Sequence, residues 1–334
     1  MNLPAALRTI RWMVRDTFRQ SISTKLFWVM TTVAAVFTLL CFSVGVSGDM
    51  AKSSVDYDPN TFITKAEAER LGADKVNADG VRVVSGEVSL GFGTVTLPVG
   101  RHRDDAVKFV QLWVAGAIAD TLGVLMALLW TAGFLPTFLE PQHASVLLAK
   151  PAPRWSILLG KYLGVVGFVA LQAVLFVGGT WLALGVRTGV WTGEYWLAVP
   201  LLVVNFGIFY AVSAFLAVAT RSTIAAAFGT LLFWILCWAM NYTHFRLIAA
   251  PIDGVASGGT FLLDVGYWLL PKPLDLGGIF FDAMRADGFS AKLPELRAAQ
   301  EQGKFFPVAS VLSSLAFAAT TLGLASYEFE KTEY

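Results

Sequence analysis

The dipeptide Gly160-Lys161 is where nucleotide chemistry would first be sought in this chain. It lies in the run LEPQHASVLLAKPAPRWSILLGKYLG, from Leu139 to Gly164. A phosphate-binding loop needs a glycine, four residues, Gly-Lys and then Ser or Thr. Backbone amides cradle the phosphates and the hydroxyl holds magnesium. Here Trp155 stands where the first glycine belongs, and Tyr162 where the hydroxyl residue belongs. The motif is absent, so this chain has no ATPase site of its own. Metal chemistry fares no better. His102, His143 and His244 are far apart, and neither a His–Glu–x–x–His nor a Cys–x–x–Cys pattern occurs. Cys41 and Cys237 sit inside apolar runs and read as small packing residues rather than a disulfide. No catalytic residue and no metal ligand is expected.

One carboxylate, Asp120, falls near the middle of an apolar stretch. An intramembrane protease would need a second acid or a Ser/His pair, and a proton-coupled carrier would need several such groups. Asp120 therefore has two readings: a polar contact in a substrate path or subunit interface, or a locally paired structural carboxylate. Gln172 and Asn205 read as hydrogen-bonding partners between helices.

The elements that must position these residues are membrane helices. Of 334 residues 56% are hydrophobic and only 15% charged, with a formal net charge of +1, and the mean hydropathy is +0.62. That excludes an ordinary soluble domain, and nothing in the charge balance argues for a nucleic acid partner. A bilayer core needs about 20 apolar residues as helix. Six stretches qualify: 26–47, 109–138, 155–186, 196–220, 223–241 and 306–326. The stretch around 261–270 is too short to cross, ends in Pro271 and reads as a re-entrant or interfacial helix within the segment 242–305.

Orientation follows from the basic residues near span ends. Arg8, Arg11, Arg15, Arg19 and Lys25 precede the first span; Lys150, Arg154 and Lys161 fall between the second and third; Arg221 lies between the fourth and fifth, and Lys331 follows the sixth. Six crossings put all of these on one side. Both termini, including the tail 327–334, are thus expected in the cytoplasm, in an inner (plasma) membrane protein. Within residues 1–25, Arg8, Arg11, Arg15 and Arg19 share one helical face and Leu7, Ile10, Val14, Phe18 and Ile22 another. This predicts an amphipathic helix on the membrane surface, in contact with lipid. Lys161, near the start of the third span, is expected to snorkel to the headgroups.

Residues 48–107 form an extracytoplasmic insertion of different composition. Thr64–Glu67 has capping-box spacing before a short helix, and alternation through Val88, Leu90, Val95 and Leu97 predicts two or three short strands. The fold class is thus all-α integral membrane: six transmembrane helices, an N-terminal amphipathic helix, a re-entrant segment before the last span and a small α+β insertion.

Between the second and third spans, residues 139–154 are broken by Pro141, Pro151 and Pro153. Glu140 suits a helix start and Lys150 its end. The spacing predicts a two-turn cytoplasmic helix with Ala144, Leu147 and Leu148 on one side, stiffened for a partner. A plain surface turn is the bland alternative. Gly160 and Gly164 form a small-xxx-small pair suited to close helix packing.

Glu140, Leu147-Leu148, Lys150-Pro151, Arg154 and the run Leu158 to Gly164 together resemble the permease subunits of type-2 ABC transporters (ABC-2 type). The likeness is strongest to the subgroup around the permease of nitrous-oxide-reductase copper-site maturation. The resemblance implies that 139–154 is the coupling helix, with Glu140, Pro141, His143, Leu147, Lys150, Pro151 and Arg154 transmitting force from a separate cytoplasmic ABC ATPase. It implies a second permease copy, in a homodimer or heterodimer. It also implies that ATP and magnesium are bound by the ATPase, with no cofactor in this chain. The function expected is the permease of an ATP-driven exporter. The alternative is a non-transporting scaffold that links the ATPase to an envelope partner. The insertion 48–107 is longer than the minimal plan of the family and suits an extracytoplasmic accessory protein.

Overall fold

The computed structural model describes residues 3–23, 25–48, 62–64, 82–84, 86–99, 103–138, 153–250, 257–285 and 293–331. The first helix, α1, spans Leu3–Ser23, and α2 spans Lys25–Phe42. The two are bent by 68° where they meet. Helix α2 stops short of the 26–47 stretch because the chain turns at Ser43 and enters strand β1 at Gly45–Gly48.

Strand β1 pairs antiparallel with β4 (Gly86–Leu90), and β4 with β5 (Val95–Val99). Three residues of the β4–β5 turn, Gly91, Phe92 and Gly93, have positive φ, which only glycine adopts freely. Thr94 closes the turn by donating from Oγ1 to the Gly91 carbonyl at 2.9 Å. A short parallel pair, β2 (Phe62–Thr64) and β3 (Arg82–Val84), lies apart from this sheet. Residues 65–67 of the capping-box motif, with the short helix expected after them, lie outside the described residues.

The next long helix, Arg103–Phe138, is not uniform. It begins as α3 (Arg103–Gln111), widens into a π-helix over Leu112–Gly123, and continues as α4 (Val124–Thr131) and α5 (Phe134–Phe138). The amide of Val124 reaches back five residues to the Ala119 carbonyl. Wide turns of this kind are mostly single-turn bulges at functional positions.

Helix α6 covers Arg154–Thr188 and ends at Gly189, whose φ of 72° supplies the left-handed cap. A 3₁₀ turn at Gly193–Leu197 leads into α7 (Ala198–Thr220). Arg221 caps α7 in the left-handed conformation, and the Ser222 Oγ accepts from the Ala225 amide to open α8 (Thr223–Ala249). This is the tight hairpin read from Arg221-Ser222. Two shorter helices follow, α9 (Ser257–Leu269) and α10 (Pro273–Ala283), separated by Leu270, Pro271 and Lys272. Then come α11 (Pro294–Glu301) and α12 (Pro307–Lys331).

Five of these stretches are long and apolar enough to cross a membrane, and α1 with α2 make a sixth if the bent pair is taken as one span. The chain is an all-α membrane protein with a small sheet. Helix α7 is its axis. Seven consecutive residues, Asn205 to Ala211, are all buried, as befits a helix enclosed on every side. It packs against α6, α8, α12 and the Arg103–Phe138 helix. By contrast α8 and α12 carry Leu232 and Leu312 more than 60% exposed, apolar surface that only lipid or another apolar partner would cover.

The two ends of the bundle differ. At one end lie the sheet and a cluster of tryptophans: Trp181 touches Trp191 and Trp196, and its indole donates to the Thr192 carbonyl at 2.9 Å. Such rings suit a membrane–water boundary. At the other end lie α1, Phe138, the start of α6, the α7–α8 hairpin and the end of α12.

Candidate functional site

At that second end, α1 packs along the first half of α6. The face it buries there is the one made of small and medium side chains. Ala6, Met13, Thr17 and Ser21 are buried, while Leu7 is 61% and Ile22 46% exposed. The cause is a row of glycines on α6. A Cβ on Gly160 would lie 2.7 Å from the Met13 Cβ, one on Gly164 2.6 Å from the Thr17 Cβ, and one on Gly167 3.0 Å from the Phe18 ring. Small residues here let the two backbones approach. Helix α1 therefore has three faces: one seated on α6, a second strip through Leu7 and Ile22 left exposed, and Arg8, Arg11, Arg15 and Arg19 exposed beside it.

Lys161 does not snorkel. It is 2% exposed, its Nζ donates to Gln20 Oε1 at 2.7 Å, and it sits 5.6 Å from the centre of the Phe138 ring. The reason is steric: α1 lies across the route to the surface, so the ammonium finds its partners within the protein.

Arg154 begins α6, with Ser156 donating from Oγ to the Pro153 carbonyl at 2.7 Å just beneath it. Its Nη1 reaches the Glu330 carbonyl at 3.2 Å and the Phe329 carbonyl at 3.5 Å, at the end of α12. A cation there meets the negative end of a helix dipole. Glu140, Pro141, His143, Leu147, Lys150 and Pro151 lie outside the described residues. Their two flanks are inside. Phe138 rests near Lys161, and Arg154 is bonded to the end of α12.

Deeper in the bundle, Asp120 lies in the π-helical stretch. Its Oδ1 accepts from Asn205 Nδ2 at 2.7 Å, across to α7. A Cβ at Gly277 of α10 would stand 3.9 Å from the other carboxylate oxygen, so three elements meet at this acid. Asn205 is 1% exposed, and its Oδ1 has no partner among the described residues. Gln172 makes the other expected interhelical bond, from Nε2 to Thr31 Oγ1 on α2 at 3.3 Å. Alongside, Tyr162, Tyr210 and Phe206 stack in sequence, and the Tyr162 hydroxyl donates to the Gly207 carbonyl at 2.8 Å.

A third constellation, which the sequence reading passed over, joins α9, α10 and α12. Asp275 is fully buried; its Oδ2 accepts from the Tyr267 hydroxyl at 2.6 Å and the Ser310 hydroxyl at 2.5 Å. Lys272, 1% exposed, donates to Ser313 Oγ at 2.7 Å and to the Leu270 carbonyl at 3.3 Å. Its ammonium lies about 5 Å from the rings of Tyr267 and Trp268. Burial pushes the Asp275 carboxyl up to about 6, against the opposing pull of its two hydroxyl donors and Lys272. Burial likewise draws Lys272 down to about 8, although Asp275 favours its charge. His244 stacks on Tyr267 with ring centres 3.8 Å apart and contacts Asp264 at 3.2 Å. The bonds from Ser310 to Asp275 and from Lys272 to Ser313 tie the α9–α10 pair to α12. The signal in the sequence was a Lys between Pro271 and Pro273 with an Asp three residues on, within the mostly apolar run from Tyr267 to Phe281.

Among the described residues no group of three or more His, Cys, Asp or Glu could hold a metal. No curated protein matches the chain. Residues 11–255 match the family described as ABC-2 family transporter protein, a range that runs from within α1 through the Arg103–Phe138 helix to just beyond α8. Covering well over half of the 334 residues, that match gives the architecture its assignment: the chain belongs to the ABC-2 transporter family, as a multi-pass permease component of an ABC transporter.

Proposed function

We propose that the chain is the permease subunit of an ATP-driven exporter in the inner (plasma) membrane, with both termini in the cytoplasm. Two permease copies work with two copies of a cytoplasmic ATPase, which binds the ATP and magnesium. The observation that carries this reading is the anchoring of both flanks of residues 139–152. Phe138 sits near Lys161, which is itself bonded to α1, and Arg154 is bonded to the end of α12. A segment pushed by a motor chain must pass the push to a rigid body rather than absorb it. Helices α1, α6 and α12 form such a body, because α1 seats on the glycine row of α6 and α12 is pinned by Arg154. Nucleotide binding would draw the ATPases together and rock this body, switching the permease pair between two states. The cytoplasmic assignment of this end is supported by its arginines and lysines, from Arg8 and Arg154 to Lys331.

Co-purification from detergent tests the complex, and ATP-dependent flux in inverted vesicles tests the direction. The expected outcome is recovery of an ABC ATPase, reduced by removing residues 141–151. External labelling of a cysteine placed at Lys150 would invert the topology and end this reading.

A second reading is favoured by one observation. The β4–β5 hairpin presents Phe92 at 72% exposure, with Leu90, Val95 and Leu97 also exposed. An apolar tip of that kind suits an extracytoplasmic partner, as a non-transporting scaffold would require. Shortening the hairpin separates the two: flux survives in a transporter with an accessory module, whereas a scaffold loses its complex with no change in flux.

A further inference from the structure

The sheet of β1, β4 and β5 has one apolar face and one polar face. Residues directly opposite each other in an antiparallel pair share a face, and side chains alternate along each strand. The register sets Val46 against Val88, Val88 against Leu97 and Leu90 against Val95. The other face carries Ser47, Glu87, Ser89 and Thr96. The apolar face is used unequally. Val46 and Val88 pack against the cluster of Cys41, Val44, Val114, Ala183 and Leu184, near the ends of α2 and α6. Leu90, Val95 and Leu97, toward the turn and the edge strand β5, are exposed, and so is Phe92 in the turn itself.

The hairpin points back at the helices, not away from them. Strand β1 leaves α2 through Ser43, and β4 returns antiparallel to it, so the β4–β5 turn lies where α2 ends. The Phe92 amide donates to the Ser43 carbonyl at 3.1 Å, and the Gly91 amide to Ser43 Oγ at 3.4 Å. From the last turn of α6, the Arg187 guanidinium lies 6.0 Å from the centre of the Phe92 ring. Two residues earlier, a Cβ on Gly185 would stand 2.5 Å from the Trp191 ring. The tip is therefore level with the tryptophan cluster. Helix α6 is long and apolar enough to cross a membrane, and indole rings at the end of such a helix mark the boundary between hydrocarbon and water. Leu182 and Val186 add exposed apolar surface on the same turns of α6. An apolar patch held at that level meets lipid.

We propose that the β4–β5 hairpin seats its tip in the adjoining leaflet, with Leu90, Phe92 and Val95 at the headgroup–acyl boundary of phospholipid and Glu87 and Thr96 turned to water. The inference rests on the chain crossing a membrane, and on neither its orientation nor the transport reading. It gives the exposed tip a lipid neighbour where the second reading gives it a protein.

The test places a nitroxide on the full chain in phosphatidylcholine vesicles, with Cys41 and Cys237, both buried, replaced by Ala. Collisions with oxygen, which concentrates in hydrocarbon, are compared with collisions with a water-soluble nickel chelate. Labels go on Val95→Cys and Thr96→Cys, neighbours on opposite faces, and on Leu232→Cys of α8 as the lipid reference. The Val95 label is expected to favour oxygen several-fold, approaching the Leu232 label, and the Thr96 label to favour the chelate. Phe92→Asp, which puts a charge at the tip, should move the Val95 label several-fold toward the chelate and leave the Leu232 label where it was. Preference for the chelate at both Val95 and Thr96, with Leu232 still in lipid, would overturn the proposal and leave the apolar face to a protein partner. A Val95 label that Phe92→Asp does not move would overturn it as well, because the protein itself would then be the shield.

Discussion

Lys161 Nζ and Gln20 Oε1 are 2.7 Å apart, joining α6 to α1. An ammonium bonded to one neutral amide, with Phe138 as a further neighbour and the Asp16 carboxylate of α1 acting on it through space, is still an incomplete replacement for water. What makes it tolerable is that α1 has closed over the position. The bond fixes the rotation of α1 on α6, and with it the direction in which the four arginines point.

Lys161→Met keeps the length of the side chain and removes the charge that had to be desolvated. Its melting temperature in detergent should match the unaltered protein or rise, a change within about 1 kcal/mol. Lys161→Ala, which leaves a void beside Phe138, should cost more, about 2–3 kcal/mol by analogy with truncation of a long buried chain. If the Met variant proved the less stable of the two, the ammonium rather than its stem would be holding α1.

Gly164→Ala places a methyl 2.6 Å from the Thr17 Cβ, a separation that backbone must yield to. Overpacking of this kind costs about 1–3 kcal/mol. The comparison is Gly323→Ala on α12, where a methyl would meet nothing within 4 Å and only the helix preference of alanine is felt. Limited proteolysis reads the difference: Gly164→Ala should release α1 for cleavage near its arginines, and Gly323→Ala should not.

These positions also mark where sequence reasoning reaches and where it stops. Long apolar runs declare themselves by length alone, and so the α6, α7, α8 and α12 crossings were legible, as were the hairpin at Arg221-Ser222 and the strands around Val88 and Val95. Gly160 and Gly164 were legible as a packing surface. Their partner was not, because α1 looks like a lipid-seeking helix by its moment, and only the three-dimensional approach shows Met13 and Thr17 turned toward the glycines. Lys161 was misplaced for the same reason. The cluster around Lys272 and Asp275 was missed because its members are spread over up to 46 residues, Tyr267 to Ser313, with no motif spacing. Periodicity reports which face is apolar; it does not report what covers it.

Asp120 can be tested for charge and for hydrogen bonding separately. Asp120→Asn keeps an oxygen for the Asn205 amide at the position that is now 2.7 Å away. Asp120→Leu leaves that amide without an acceptor, at about 1–3 kcal/mol. A locally paired carboxylate predicts that the Asn variant folds and transports like the unaltered protein while the Leu variant loses stability. Loss of transport in Asp120→Asn with melting unchanged would instead assign the charge to the path or the subunit interface.

The acid at the α9–α10 junction gives a pH dependence whose sign can be worked out. The Asp275 carboxyl is raised from 3.8 to about 6, so between those values the folded chain holds a proton that the unfolded chain has released. Stability therefore falls as pH climbs from about 4 to about 6, by up to about 3 kcal/mol, and levels off above. Lys272 is lowered from 10.5 to about 8; there the unfolded chain binds the extra proton, and stability recovers as pH rises from about 8 to about 10. The weakest window lies between the two, where both buried groups are charged and rely on each other, on Ser313 and on the hydroxyls of Tyr267 and Ser310. Asp275→Asn can still accept from those hydroxyls and carries no charge, so its melting temperature should lack the decline between pH 4 and 6. Parallel profiles for Asp275→Asn and the unaltered protein through that window would show that the carboxylate does not titrate there.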